Sequence, residues 1–239
     1  MAQPNLLLLS ATQQESHNLI GALVNQQHTM HAGKTVIQGE FADKQCYLVN
    51  TGIGAVNAAH ALTCQLEMQR PELVIQFGIA GAYVPAHLPI AAVALATEEI
   101  YGDVGVITPD GWKPADEIGI PLVPGDVPLF NRFPLDLEIV ARAARICGAE
   151  SGPFVTVSQC TGVQALGDAL YHRFGALCES MEGAAAAHIC RLYDVPFLEV
   201  RGVSNLVEDR NRERWNIVAA VTAAQQAVMK IIENIHEIV

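Results

Sequence analysis

With 239 residues, 51% of them hydrophobic and only 16% charged, the chain can bury one large core and needs no second domain. Its formal net charge of −11 argues against nucleic acid or an anionic membrane as partner, because phosphate groups are held by clustered Lys and Arg. A small ligand fits this balance better.

Residues 6–9, all leucine, read as a fully buried first strand, since a run without alternation suits a sheet covered on both faces. The chain then turns into a helix expected to reach about residue 25, with Thr12 as N-cap and Glu15 three residues later in a capping-box pattern. Local spacing leaves Glu15 open between that structural role and a carboxylate pointing into a ligand crevice. Strands are expected at 35–41 and 45–50, the second ending in Thr51-Gly52-Ile53-Gly54, where glycines let backbone N–H groups approach a ligand or simply make a tight turn. Residues 54–69 carry Val56, Ala59, Leu62 and Leu66 at helical spacing.

A buried strand at 73–77 is expected to open into an accessible turn of small residues, Gly78-Ile79-Ala80-Gly81-Ala82. The apolar run 88–97 reads as a strand, and Glu98 and Glu99 after it as a solvated loop in preference to the lining of a cleft. Residues 108–134 are rich in Pro and Gly and form an excursion of the kind used for lids or partner contacts. An amphipathic helix at 135–147 and a strand at 154–157 follow, the strand leaving through the polar loop Ser158-Gln159-Cys160-Thr161-Gly162. Strands at 176–179 and 195–203 flank an Ala-rich helix at 184–192, and a helix over 213–239 closes the chain.

This alternation gives the fold class α/β: one domain over residues 1–239, a single-domain three-layer α/β/α sandwich with a mixed, largely parallel central sheet. Open sheets of this kind bind ligands at the carboxyl ends of their strands, where Glu179-Ser180-Met181-Glu182-Gly183-Ala184 and Val200-Arg201-Gly202-Val203-Ser204-Asn205 both fall. The six cysteines show no metal spacing and read as buried free thiols in a reducing compartment, and the eight histidines as structural or surface residues. The start of the chain lacks the basic region of a signal peptide and no apolar run approaches membrane-spanning length, so a cytoplasmic location is expected.

Ser180-Met181-Glu182-Gly183-Ala184, Gly78-Ile79-Ala80-Gly81 and Val200-Arg201-Gly202-Val203-Ser204-Asn205 together resemble the nucleoside phosphorylase and nucleosidase superfamily, in order and spacing, over essentially the whole chain. Tyr101-Gly102-Asp103-Val104-Gly105, and Thr156-Val157-Ser158 with Thr161-Gly162, resemble its futalosine hydrolase branch, which serves menaquinone biosynthesis. The resemblance implies that Glu182 accepts ribose hydroxyls, that Met181 packs on the sugar, and that Glu15 is the general base for the attacking water. It implies further substrate contacts at Ile79, Ala80, Gly81, Gly162, Val163, Ser180 and Ser204, with Trp215 near the 5′ end. Read without it, Glu182 is an acid favoured by a helix N-terminus, Met181 a core residue, Asn205 a turn cap and Trp215 packing under the last helix.

Two departures from the superfamily pattern narrow the expectation. Where the phosphorylases carry phosphate-binding arginines, this chain has Gln76-Phe77 and Ser10-Ala11-Thr12, so water is the expected nucleophile. Where adenine-specific nucleosidases carry Asp, it has Asn205, whose NH₂ can donate to a 6-oxo group while its carbonyl accepts from a protonated N7. The expected activity is hydrolysis of a 6-oxopurine nucleoside, futalosine, releasing hypoxanthine, with no metal or organic cofactor, in a homo-oligomer (dimer or larger). A methylthioadenosine/S-adenosylhomocysteine nucleosidase, a purine nucleoside phosphorylase and a catalytically silent nucleoside-binding protein are the alternatives. Arg201 reads as a structural ion pair, and Arg210, Arg212 and Arg214 are candidates for the 5′ end.

Overall fold

The computed structural model describes residues 5–239; Met1 to Pro4, part of the stretch read for a leader, lie outside the described residues. The leucine run forms β1 (Asn5–Ser10). Its side chains feed two separate cores, one on each face. Leu6 and Leu8 pack with Leu19 of α1 (Gln13–Ala22), Val140 of α3 (Leu137–Cys147) and Val228 of α6 (Ile217–Glu233). Leu7 and Leu9 pack with Leu62 of α2 (Ala55–Met68) and Ala186 of α5 (Gly183–Tyr193). Helices on both faces therefore account for the unalternating pattern, each buried leucine contributing about 1.5–3 kcal/mol of transfer free energy.

The remaining strands are β2 (Val24–His31), β3 (Lys34–Phe41), β4 (Lys44–Asn50), β5 (Leu73–Tyr83), β6 (Val93–Tyr101), β7 (Gly105–Thr108), β8 (Gly111–Pro114), β9 (Arg132–Pro134), β10 (Glu150–Thr156), β11 (Cys178–Ser180) and β12 (Phe197–Val207). The main sheet runs β11-β10-β6-β12-β5-β1-β4-β3-β2, with parallel pairs at its centre and antiparallel pairs at β12–β6, β3–β4 and β2–β3. β11 also pairs back onto β5, through Cys178 opposite Ala82 and Glu179 opposite Gly81, so one end of the sheet curls into a closed ring.

Several expected boundaries move, and mostly for one reason. The small residues Gly78 to Ala82 are not a turn: β5 continues to Tyr83, because β12 and β11 pair with that stretch. Residues 88–92 precede β6, whereas Glu98 and Glu99 lie within it, and Glu99 is fully buried instead of solvated. β12 likewise extends to Val207 and takes Asn205 into the sheet. The first helix stops at Ala22, where β2 begins as an exposed polar edge strand. The excursion contains the β7–β8 hairpin and β9, and α4 (Gln164–Phe174) fills a stretch for which no element was expected. The last helix begins at Ile217, after a short 3-10 turn at Arg212–Arg214.

Candidate active site

Glu15 occupies its two roles at once. Thr12 caps α1, and Glu15 Oε2 returns to the Thr12 backbone N–H and hydroxyl, both at 2.9 Å, completing the capping box. Its other oxygen, Oε1, accepts the Ile79 N–H of β5 at 3.0 Å. The cap therefore fixes the carboxylate against the sheet, where it is only 6% exposed. This contact explains Gly78: a Cβ there would collide with Glu15 Oε1 and crowd Arg201 Nη1.

Glu182 is the N-cap of α5, yet its side chain caps nothing. Oε1 instead accepts the Gly54 N–H at 2.9 Å, across the turn where Gly52 and Gly54 have φ of 90° and 96°. Oε2 accepts from Arg201 Nη2 at 3.1 Å. Arg201, 1% exposed, also gives Nε–H to Glu199 Oε1 at 2.6 Å and Nη1–H to the Ile79 carbonyl at 3.1 Å. Burial works against its charge, but Glu199, Glu182 and Glu15 outweigh burial and hold the guanidinium above its ordinary value. The ion-pair reading of Arg201 agrees with this geometry, and the same side chain also reaches the cavity wall.

Glu15 and Glu182 face one cavity of about 350 Å³. From β5 it is lined by Ile79, Ala80 and Gly81, and from the junction of β11 with α5 by Ser180 and Met181. Ser204 and Asn205 enter from β12, whose pairing with β5 is bulged between Val203 and Asn205. The Ser204 hydroxyl lies 3.1 Å from the Ala80 carbonyl and 2.8 Å from Asn205 Oδ1, while Asn205 Nδ2 donates to the Leu206 carbonyl at 3.0 Å. Trp215 closes the rim, with the Arg210 guanidinium 4.8 Å from its ring centre. Arg214 is instead paired with Glu208. Gly162 and Val163 lie off the cavity wall: the Gly162 carbonyl accepts the Arg210 N–H, and Val163 caps α4.

The structure adds residues that the motifs did not single out. Glu179 also lines the cavity, accepting the Thr161 N–H at 2.7 Å and the Tyr83 hydroxyl at 3.4 Å. Burial raises its pKa, and those two donors oppose the rise. Cys160 is exposed, not buried, with Sγ 3.3 Å from Met181 Sδ; Cys46, Cys178 and Cys190 are the buried thiols. A larger hollow of about 600 Å³ lies under the excursion; on its wall the half-buried Glu98 pairs with Arg132 at 2.5 Å, Glu117 pairs with Lys113 at 4.0 Å, and Asp116 is exposed. Among the described residues no cluster of His, Cys, Asp or Glu could hold a metal ion, and no helix is long and apolar enough to cross a membrane.

The profile of the Phosphorylase superfamily matches residues 5–237 of the chain. The sequence is 35% identical to a futalosine hydrolase of Thermus thermophilus over 185 residues, 77% of this chain and 80% of that protein. It is 36% identical to a futalosine hydrolase of Streptomyces coelicolor over 190 residues, 77% of each chain. In three dimensions it is similar to the S-adenosylhomocysteine nucleosidase of Streptococcus pyogenes, with a TM-score of 0.85, 24% identity and 98% of both chains covered, a likeness of fold.

Proposed function

We propose that this chain, which belongs to the phosphorylase superfamily and to the futalosine hydrolase family within it, hydrolyses the N-glycosidic bond of futalosine and releases hypoxanthine. The observation that carries the reading is the convergence of Glu15, Glu182 and Asn205, remote in sequence, on one cavity.

Cleaving a C1′–N9 bond builds positive charge on the ribose and negative charge on the purine. Glu182 serves the sugar: each of its oxygens spends one lone pair on Gly54 or Arg201 and keeps another for a ribose hydroxyl. Its charge lies beside the developing cation, and Met181 packs on the sugar face. Glu15, clamped between Thr12 and Ile79, orients and deprotonates the water, an assistance typically worth about 10² to 10⁴ in rate. Asn205 has a second N–H for a 6-oxo group and a second lone pair on Oδ1 for a protonated N7. The mismatch with adenine costs about 1–3 kcal/mol.

Water as nucleophile is supported by the cavity's charges. Its arginines are Arg201, committed to Glu182 and Glu199, and Arg210 at the rim. Arg210 on the Trp215 face, with no carboxylate partner among the described residues, suits the carboxylated aromatic 5′ group of futalosine. Exposed Ile53 and Val56 at the start of α2, beside the mouth, support a homo-oligomer of two or more subunits. The reading also gives the protein a cytoplasmic place in menaquinone biosynthesis.

Incubation with futalosine, inosine and methylthioadenosine, with and without phosphate, tests this. Hypoxanthine should appear from futalosine without phosphate. Rapid adenine release would overturn the role of Asn205, strict phosphate dependence that of water, and binding without turnover would make the protein a nucleoside binder.

A further inference from the structure

Glu99 on β6 and Glu199 on β12 are both fully buried, and neither lines the cavity. They meet beneath the first turn of α5, where a Cβ on Gly183 would collide with Glu99 Oε2 and Glu199 Oε2 together. Few donors reach them. Glu199 Oε1 takes Arg201 Nε–H at 2.6 Å and the Ser180 hydroxyl at 3.5 Å; Glu99 Oε2 takes the Thr156 hydroxyl at 3.1 Å. Glu99 Oε1 and Glu199 Oε2 have no hydrogen-bond partner among the described residues. Both carboxylates crowd the same Cβ position on Gly183, so a hydrogen held between them would supply the missing donor.

We propose that Glu99 and Glu199 hold one proton between them and present a single negative charge to Arg201, acting as positioning residues for its guanidinium. With Nε held from behind by Glu199, the guanidinium extends forward, Nη1 to the Ile79 carbonyl and Nη2 to Glu182. A doubly charged pair would draw Arg201 back from Glu182. A neutral pair would release it onto Glu182 and cancel the charge that the futalosine reading places beside the ribose, so the consequence for turnover rests on that reading.

Groups on every neighbouring element agree with a singly protonated pair. Thr156 on β10 and Ser180 on β11 are neutral donors. Burial pushes up the Cys178 thiol on β11 and the Tyr101 phenol on β6, so neither competes as an anion. Arg201 on β12 is the cation facing the pair, and beyond it lie Glu182 at the head of α5 and Glu15 on α1. Burial, followed by the charge of Glu199, raises Glu99 well above the ordinary carboxylate range, more than Arg201 and Thr156 lower it. Glu199, held by the Arg201 guanidinium at 2.6 Å, is the partner that keeps the charge, and Glu99, whose one donor is the neutral Thr156 hydroxyl, is the partner that carries the proton.

Infrared difference spectroscopy of the full chain at neutral pH reads a protonated carboxyl by its C=O stretch. Wild type should show that band and Glu99→Gln should lack it; a wild type without the band, or a band lost in Glu179→Gln and kept in Glu99→Gln, would overturn the proposal. This arm needs no substrate and stands apart from the futalosine reading. In turnover, Glu199→Gln should lower kcat about tenfold or more with a smaller change in KM, and Glu99→Gln, which imitates the protonated acid, should lose far less. Equal losses in the two variants would overturn the positioning role. Failure of Glu99→Gln to fold would count against a neutral Glu99, since the amide is its uncharged isostere. Failure of Glu199→Gln to fold leaves the infrared comparison to decide.

Discussion

Arg201 separates two pairs of buried glutamates that differ in almost everything except burial. On the cavity side, Glu15 and Glu182 each receive a donor on both oxygens, including the backbone N–H groups of Thr12, Ile79 and Gly54. Behind the guanidinium, Glu99 and Glu199 each leave one oxygen without a donor. The contrast teaches that the fold assigns charge through backbone amides. The start of α1 at Thr12, the glycine turn at Gly54 and the β5 amide of Ile79 supply N–H groups to one pair, whereas among the described residues no backbone N–H reaches the other.

The largest effect should come from breaking the donor-rich pair. Glu15→Gln is expected to lower kcat by about 10² to 10⁴ while costing only about 1 kcal/mol of helix capping, so steady-state kinetics and urea denaturation should separate sharply. A comparable loss of stability and activity would reduce Glu15 to its cap.

Two glycine substitutions sharpen the comparison at intermediate size. Gly78→Ala drives a methyl into Glu15 and Arg201, and should cut kcat about tenfold or more through misplacement of the carboxylate. Gly183→Ala drives one into Glu99 and Glu199, and should appear mainly as about 1–3 kcal/mol of overpacking in denaturant titrations. Reversal of the two readouts would mean that the front and rear pairs have been assigned the wrong way round.

The smallest effect is in the pH dependence of stability. Glu99 is raised well above 4.5 by burial and Glu199, and Glu179 is raised by burial. Between the unfolded and the raised folded value the native state binds more protons than the unfolded one. Stability from these groups is thus fully present below the unfolded pKa and is lost as pH rises through the folded value, at most about 1.4 kcal/mol per pH unit for one proton. Glu99→Gln should flatten that slope in denaturation midpoints measured upward from about pH 4.5. An unchanged slope would mean that Glu99 does not contribute to it.

Much of this was legible because its causes are local. The capping box of Thr12 and Glu15, the leucine run of β1, and the order of the Gly78, Glu182 and Asn205 motifs all depend on residues a few positions apart. β2 and α4 were not legible for the opposite reason. β2 is exposed along its length and exists through pairing with β3, and within α4 only Gly167 and Phe174 are buried, so neither leaves an apolar period to read.

What the sequence determined by itself was the α/β alternation; through the resemblance to the superfamily it also carried the expectation that Glu15 and Glu182 meet a ligand and that the phosphorylases' phosphate-binding arginines are replaced. What only the tertiary structure decided was that Gly78 to Ala82 are strand, that Arg201 ties Glu182 to Glu199, and that Glu99 is buried instead of solvated. Each of these depends on which distant strand lies alongside. A residue's burial and hydrogen-bond partners come from that neighbour, and its own flanking sequence does not encode them.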